Sequence, residues 1–287
     1  MGLPVGLDFC FGVFPHTKAR PPYSQDKLAT VRYRNTDMPE GAPRSLGGVM
    51  LRLEIEEAHT TVSLASATVD TSLPDEARAV DWGDGATVTG LVSTGYLDPE
   101  DTDSEFVTIS HEYVRAGVYY VRFTDCITGL SICGDDGVDG DAIKDALRQV
   151  SMPTKVARLD YGCLGSGHMD QDVVVLPGVT DVETSAFGGM GSALNTVRVL
   201  SLPSVASIDH TSFYAGPSLE VLCMDRLASE VGNIWGFCPR LKWILIRGKT
   251  CEELQEGQRW LVRNAPNDGG LVGANGFIQH GTLYLDS

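Results

Sequence analysis

The sequence predicts a mainly β protein with few helices, in which a β-sandwich is followed by a short solenoid of repeated turns. Two observations carry this prediction: short segments with alternating apolar and polar residues fill the first half of the chain, and the segment that begins at Leu176 recurs from Leu202. Alternation with a period of two is typical of half-buried strands. Recurrence at a fixed interval of this size is typical of solenoids.

The N-terminal segment, residues 1–45, is predicted to be an extended arm. Its prolines at positions 4, 15, 21, 22, 39 and 43 oppose long helices and central strands. One short strand is predicted at 28–34. Such an arm either packs on a neighbouring subunit or forms a poorly ordered tail.

Residues 46–130 are predicted to form the sandwich. Apolar side chains at 51, 53 and 55 alternate with charged side chains at 52, 54 and 56, which is the pattern of a half-buried strand. Further strands are predicted at about 60–69, 77–82, 86–92, 105–111 and 117–124. Turn residues separate them at the short intervals of a sandwich.

Residues 131–150 are predicted to be an acidic linker with a short helix at 142–150. Asp141 is a suitable N-cap, because its carboxylate accepts hydrogen bonds from the free N–H groups at a helix start. The acidic stretches 98–105 and 134–141 are predicted to be solvated loops, since their like charges repel one another. A calcium site in either stretch is the alternative, although neither has the ligand spacing of a known calcium loop.

Residues 151–248 are predicted to form the solenoid. Its clearest turn carries Leu176, Pro177, Val179, Val182 and Phe187, and these recur at one constant interval as Leu202, Pro203, Val205, Ile208 and Phe213. The next turn is shorter, lacks the Leu-Pro pair and has Trp235 in place of the phenylalanine. Residues 156–159 are a candidate for a degenerate fourth turn.

The C-terminal segment, residues 249–287, is predicted to cap the solenoid. A helix is expected at 250–263 and a strand at 276–285. The last turn of a solenoid leaves its core open, so a terminal segment has to cover it.

Two motifs in the first half resemble the polycystic-kidney-disease (PKD) type of immunoglobulin-like domain. They are Trp82-Gly83-Asp84-Gly85 and the later series His111, Tyr113, Gly117, Tyr119 and Val121. The resemblance implies an immunoglobulin-like sandwich. Trp82 then fills the core and the two glycines allow a tight turn. His111 is interpreted as structural, with catalysis as the rejected alternative.

The repeated turns resemble the BspA-type leucine-rich repeat. Leu194, Leu219 and Leu241 fit the trailing leucine of that pattern. The resemblance implies a leucine-rich-repeat solenoid, as found in bacterial surface proteins, adhesins and phage structural proteins alongside PKD or immunoglobulin-like modules. It implies binding and no chemistry.

The charge, hydrophobicity and cysteine content of the chain argue against several classes of function. The net charge of −16 disfavours a polyanionic partner such as nucleic acid, and no apolar run approaches the roughly 18 residues that span a membrane. The N-terminus does not have the pattern of a secretory signal. Seven cysteines without a Cys-x-x-Cys pair are predicted to be reduced and mostly buried; they are at 10, 126, 133, 163, 223, 238 and 251.

Catalytic, cofactor and metal motifs are incomplete in this sequence, so no site residue, no cofactor and no metal is assigned. Gly248-Lys249-Thr250 ends like a phosphate-binding loop, but Trp243 occupies the position of its first glycine. Ser166 and His168 lie too close in sequence to align as nucleophile and base. The six histidines, at 16, 59, 111, 168, 210 and 280, lack metal-ligand spacing.

We therefore expect a non-enzymatic structural or adhesive protein that presents a recognition surface to a protein or a surface glycan, as a homo-oligomer or within a larger assembly. A phage virion or tail component is favoured, because the sequence shows no export signal, and a bacterial cell-surface adhesin is the first alternative. A carbohydrate-active enzyme that uses carboxylates of the two acidic stretches is the alternative from another class.

Overall fold

The computed structural model is mainly β, as the sequence predicts. It describes residues 38–94, 109–134, 141–164, 169–187, 196–209, 218–225 and 240–246, single positions at 212, 238, 248, 250 and 252, and strands within 270–285. The predicted strand at 28–34 and nearly all of the predicted helix at 250–263 lie outside these residues. Within the described ranges, no helix is long and apolar enough to cross a membrane.

The first sheet, called here the sandwich sheet, is antiparallel. It contains β1 (Gly47–Ile55), β4 (Ala79–Asp81), β5 (Thr87–Thr89), β7 (Gly117–Thr124) and β9 (Leu147–Ser151) in the order β5-β4-β7-β1-β9. The alternation predicted for β1 is confirmed, since Leu51, Leu53 and Ile55 are all buried. On the partner strand β7, Val121 and Phe123 point into the same core.

The segment predicted as one strand at 60–69 forms two strands that pair with different partners. β2 (Thr60–Ser63) pairs with β6 (Ser110–Tyr113), whereas β3 (Ser66–Val69) pairs with β8 (Ile127–Ser131). The chain changes sheets between them, where Leu64 and Ala65 donate hydrogen bonds to Ile109 and Ile132 respectively. Both pairs are antiparallel.

The predicted helix at 142–150 is too long. Helix α1 covers only Asp141–Ala146, and the chain continues directly into β9. Leu147 and Val150 are buried because β9 pairs with β1, which lies far earlier in the chain. The last part of the predicted linker is therefore a strand of the sandwich sheet.

Two parallel ladders make up the second half of the chain. Short strands, β10 (Arg158–Leu159), β12 (Asp181–Val182) and β14 (Ser207–Ile208), form what we call the ladder sheet. Longer strands form the long sheet: β11 (Val173–Val175), β13 (Val199–Leu202), β15 (Val221–Met224), β16 (Trp243–Ile246) and β17 (Gly270–Gly273). The predicted strand at 276–285 is an antiparallel hairpin that extends the long sheet, β18 (Gly276–Gln279) and β19 (Thr282–Leu285).

The pairing reproduces the repeat seen in the sequence. Val173 lies beside Val199 and Asp181 beside Ser207, so both ladders advance at this turn by the same interval that separates Leu176 from Leu202. The next two steps of the long sheet are shorter and equal to each other, since β13 pairs with β15 at Val221 and β15 pairs with β16 at Trp243. Leu159 pairs with Val182, which places residues 156–159 in the ladder as a further turn.

The ladder sheet continues into the sandwich. β8 runs parallel to β10, with Gly129 beside Arg158 and Leu130 beside Leu159, so the sheet order is β14-β12-β10-β8-β3. A single cluster of buried residues extends from Leu51 and Trp82 in the sandwich to Leu200 and Ile244 in the long sheet. The sandwich therefore closes the first end of the core between the two ladders.

Candidate functional site

The turn after β4 is shaped by its two glycines. Gly83 has φ +82°, and a Cβ at this position would lie 2.8 Å from the carbonyl oxygen of Tyr120. Any other residue would be strained and would displace β7. The Gly83 N–H donates to the Asp81 carboxylate at 2.8 Å, and the Trp82 N–H donates to the Ala86 carbonyl at 3.0 Å.

Asp84 and His111 join this turn to β6. The Asp84 Oδ2 and His111 Nε2 atoms lie 2.7 Å apart, and both side chains are largely shielded from solvent. The His111 ring stacks on Trp82 with 5.0 Å between ring centroids and meets Tyr113 edge-on at 4.8 Å. The Tyr113 hydroxyl donates to the Trp82 carbonyl at 2.9 Å.

The hydrogen bonds around Asp84 favour the ionised form of its side chain. Burial alone would raise the pKa of this carboxyl group, but the Ala86 N–H and the His111 ring together lower it below its ordinary value. Burial raises the pKa of the Tyr113 phenol, which stays a hydrogen-bond donor. The described contacts of this cluster thus hold the turn, β6 and β7 together.

A small apolar cavity of about 140 Å³ lies beside Trp82. Val80, Val88, Leu91 and Ile109 are among its lining residues. It opens at the β5 edge of the sandwich, where Val88 is partly exposed.

The other residues singled out in the sequence are not brought together. His59 is exposed and its Nδ1 lies 2.9 Å from Glu112 Oε1. Trp243 is buried in β16. The acidic stretches, except for Gly134 and the helix residue Asp141, lie outside the described residues, and so do Ser166, Lys249 and the histidines at 16, 168, 210 and 280.

Metal ligands and reactive thiols do not converge in the part of the chain that the structure describes. Among these residues, no group of three or more His, Cys, Asp or Glu could hold a metal ion. Five cysteines are described, and all are buried and free of disulfides: 126, 133, 163, 223 and 238. Burial raises the pKa of Cys163 well above its ordinary value, which disfavours the thiolate.

The junction between sandwich and ladders depends on residues that sequence reasoning missed. The Gln171 side chain accepts a hydrogen bond from the Val150 N–H at 2.8 Å and donates one to the Val150 carbonyl at 3.0 Å. The Asp170 N–H donates to the Arg148 carbonyl at 2.7 Å. The side-chain amide of Gln171 thus bonds to the backbone of β9 as a neighbouring strand would, and it links the sandwich sheet to the segment that leads into β11.

An ion pair reinforces the junction on its other side. The Lys155 ammonium lies 3.0 Å from Asp70 Oδ2 and donates to the Asp125 carbonyl at 3.0 Å. The Ser72 hydroxyl and Lys155 lower the pKa of Asp70 to about 2. No motif marks these residues, because the pair joins positions far apart in sequence.

The outward side of the ladder sheet is polar and exposed. We call it the ladder face, and its residues are Arg158, Asp181, Glu183 and Ser207. Arg158 is paired with Asp160 and with Glu183, the latter at 2.9 Å, and its side chain is 55% exposed. This face continues onto the sandwich at Thr68, which is exposed on β3.

In the long sheet, the strands β13, β15 and β16 are buried on both faces. Leu200, Leu222 and Ile244 face the shared core, whereas Val199, Val221 and Trp243 face away from it. None of these six residues is more than 3% exposed. Among the strands whose exposure is described, the ladder sheet thus offers an open face to a partner, whereas β13, β15 and β16 do not.

Comparison with known proteins gives no match: no protein-family model, curated protein or solved structure resembles the chain significantly.

Proposed function

We propose that this chain is a non-enzymatic structural or adhesive protein, a phage virion or tail component that presents a recognition surface to a protein or a surface glycan. The finer fold assignment belongs to the same proposal: a PKD-type immunoglobulin-like sandwich that carries a short leucine-rich-repeat solenoid. The observation that carries the proposal is the exposed ladder face, which lies on a repeated and rigidly paired scaffold.

The contacts of the PKD-like motif support a structural role for it. Asp84, His111 and Trp82 are used in holding a turn against the sandwich, as their hydrogen bond and ring stacking indicate. In this proposal the motif residues supply rigidity, and the binding residues lie elsewhere.

The ladder face supports a role in recognition. Short parallel strands place Arg158, Asp181 and Ser207 side by side. In the strand register, Arg158 lies opposite Asp181, and Asp181 lies opposite Ser207. The strand spacing of about 4.8 Å gives a regular row of charged and hydroxyl groups that can donate to and accept from a protein backbone or sugar hydroxyls.

The small size of this row favours display in many copies. A face of three short strands provides few contacts, and weak sites gain strength when many are presented together. A virion or tail supplies such multiplicity. A bacterial cell surface also does, and it is the second candidate for that reason.

Location is tested by proteomics of purified particles. We expect the full chain in the virion fraction of a producing culture, at a constant ratio to the major capsid or tail protein. Absence from particles, together with recovery from the washed cell surface, would replace the virion assignment with the adhesin.

Recognition is tested with the full chain on glycan arrays and on immobilised cell-surface proteins. Arg158→Glu should weaken any binding about tenfold or more, because one charge-assisted contact contributes roughly 1.5 to 3 kcal/mol. Arg115→Glu, in the exposed turn between β6 and β7, is the matched control. Equal effects of the two substitutions, at equal melting temperatures, would remove the ladder face from the proposal.

A further inference from the structure

The strand β5 is an exposed edge of the sandwich sheet. It stands at one end of the sheet order, and all three of its residues are exposed. The short 3-10 helix at Asp75–Ala77 bonds to the chain beyond β5, where the Gly90 N–H donates to the Asp75 carbonyl at 3.0 Å. The strand itself therefore stays accessible to a partner.

The backbone of β5 presents hydrogen-bonding groups on this edge. The Trp82 N–H donates to the Ala86 carbonyl at 3.0 Å, so these two residues form a hydrogen-bonded pair. Because such pairs alternate with non-hydrogen-bonded ones along an antiparallel ladder, Val88 is the next residue that bonds to β4. The N–H and C=O groups of Thr87 and Thr89 then point away from β4. Among the described residues, no backbone group bonds to them.

Two other edge strands are closed by hydrogen bonds from side chains. On β3, the Val69 N–H donates to Ser93 Oγ at 2.9 Å, and the Ala67 N–H donates to Thr94 Oγ1 at 2.8 Å. On β9, the Gln171 side chain takes the place of a neighbouring strand. Natural sheets also protect their edges with charges, prolines and bulges, but β5 has no charged residue, proline or register shift. Its edge is therefore suited to pairing with another strand.

The surroundings of β5 are apolar and uncharged. Val88 is 46% exposed and Val92 is 40% exposed, and both line the small apolar cavity described above. No residue from 85 to 94 is charged, in a chain whose net charge is −16. The Asp75 carboxylate, near one end of β5, is paired with Arg78. Two copies of so acidic a chain repel each other least where they meet through an uncharged segment.

We propose that β5 pairs antiparallel with β5 of a second copy, about a two-fold axis that passes at Val88. In this register Thr87 lies opposite Thr89 of the second copy, and both such pairs exchange backbone hydrogen bonds through the groups that β4 leaves free. Val88 lies opposite Val88 of the second copy, beside the apolar cavity, so each exposed valine gains an apolar neighbour. The two sandwich sheets then form one continuous sheet.

A second copy fits this edge because the strand is symmetric about Val88, with a threonine on either side. The same two-fold operation therefore satisfies the free groups of both copies at once. A strand of three residues makes few contacts, so the dimer is expected to be weak in dilute solution. This interface is distinct from the ladder face, and the inference does not depend on the virion assignment.

Sedimentation equilibrium of the full chain tests for the dimer. We expect a reversible equilibrium between monomer and dimer. Val88→Lys should weaken the dimer about tenfold or more, because it places two like charges against each other in an apolar contact. Val118→Lys is the matched control and should leave the dissociation constant unchanged, since Val118 is 47% exposed on β7 of the same sheet. A chain that is monomeric at every concentration measured, or equal effects of the two substitutions, would overturn the proposal.

Cysteine crosslinking of the full chain tests the register. A non-hydrogen-bonded antiparallel pair places its Cα atoms about 4.5 Å apart, a distance that a disulfide can bridge. With oxidised glutathione as the oxidant, Val88→Cys should therefore form a disulfide with residue 88 of a second copy, identified by mass spectrometry of the linked peptides. Thr87→Cys is the control and should link poorly to itself, because the register places it opposite Thr89. Equal yields for the two variants, or no link between two copies of residue 88, would overturn the proposal.

Discussion

At the scale of single residues, the contacts around Trp82 show how a histidine and an aspartate hold the turn after β4 against β6. His111 is packed between Trp82 and Tyr113, and its Nε2 is held by Asp84. The structural interpretation of His111 follows from its sequence motif. Its partner could not be predicted from alternation alone, since the pairing depends on how the turn after β4 meets β6.

The Asp84 carboxylate makes stability dependent on pH. Its pKa is lowered in the folded protein, so its contribution is present above the ordinary value of 3.8 and is lost as pH falls through the lower folded value. Asp84→Asn should therefore cost about 1 kcal/mol at pH 7. Urea unfolding at pH 7 and at pH 3 should show a smaller difference between the variant and the parent at pH 3.

The control for this prediction is Glu57→Gln, an exposed carboxylate in the turn between β1 and β2. It should leave the free energy of unfolding nearly unchanged at both pH values. A cost of Asp84→Asn that is identical at pH 7 and pH 3 would show that the carboxylate charge does not contribute.

At the scale of elements, the sequence patterns predicted correctly those features of the strands that depend on residues close together in the sequence. The alternation in β1 predicted the correct face for Leu51, Leu53 and Ile55, and the interval of the sequence repeat appears in the pairing of β11 with β13. The prediction of secondary structure was wrong where pairing with a strand far away in the sequence determines the conformation. The helix predicted at 142–150 ends at Ala146, because Leu147 and Val150 pair with β1 and form a strand.

The Gln171 contact is the clearest case of an element joined by one side chain. Gln171→Leu leaves the N–H and the carbonyl of Val150 without these partners, and each unpaired buried group costs about 1 to 3 kcal/mol. We expect a loss of about 2 kcal/mol or more in the free energy of unfolding.

Hydrogen exchange locates the effect of this substitution. Exchange should accelerate most at the Val150 amide and in the peptides of β9 and β11, because local opening there adds to global unfolding. The amides that pair β4 with β7 are the internal reference and should accelerate by no more than the loss in the global free energy of unfolding. No acceleration at Val150 beyond that reference would contradict the role given to Gln171.

At the scale of the whole molecule, the two halves suggested by the sequence share one hydrophobic core. β8 of the sandwich is also a strand of the ladder sheet, and the Lys155 and Asp70 pair ties the first turn to the sandwich. The sheets of the first half therefore cover one end of the core that lies between the two parallel ladders. The sequence could not predict this, since each motif describes its own half.

The shared core of the two halves affects how the ladder face can be presented to a partner. A rigid union of sandwich and repeats fixes the direction in which the ladder face points relative to the sandwich. In a multi-copy assembly this fixed direction would present each ladder face in the same way, whereas a flexible linker would average the directions and weaken multivalent binding.

Differential scanning calorimetry of the full chain tests the central claim, that sandwich and repeats are one cooperative unit. The expected result is a single transition whose calorimetric and van't Hoff enthalpies agree. Gln171→Leu should move that transition to lower temperature without splitting it. Two separable transitions in the parent chain, with the sandwich unfolding independently of the repeats, would contradict the claim.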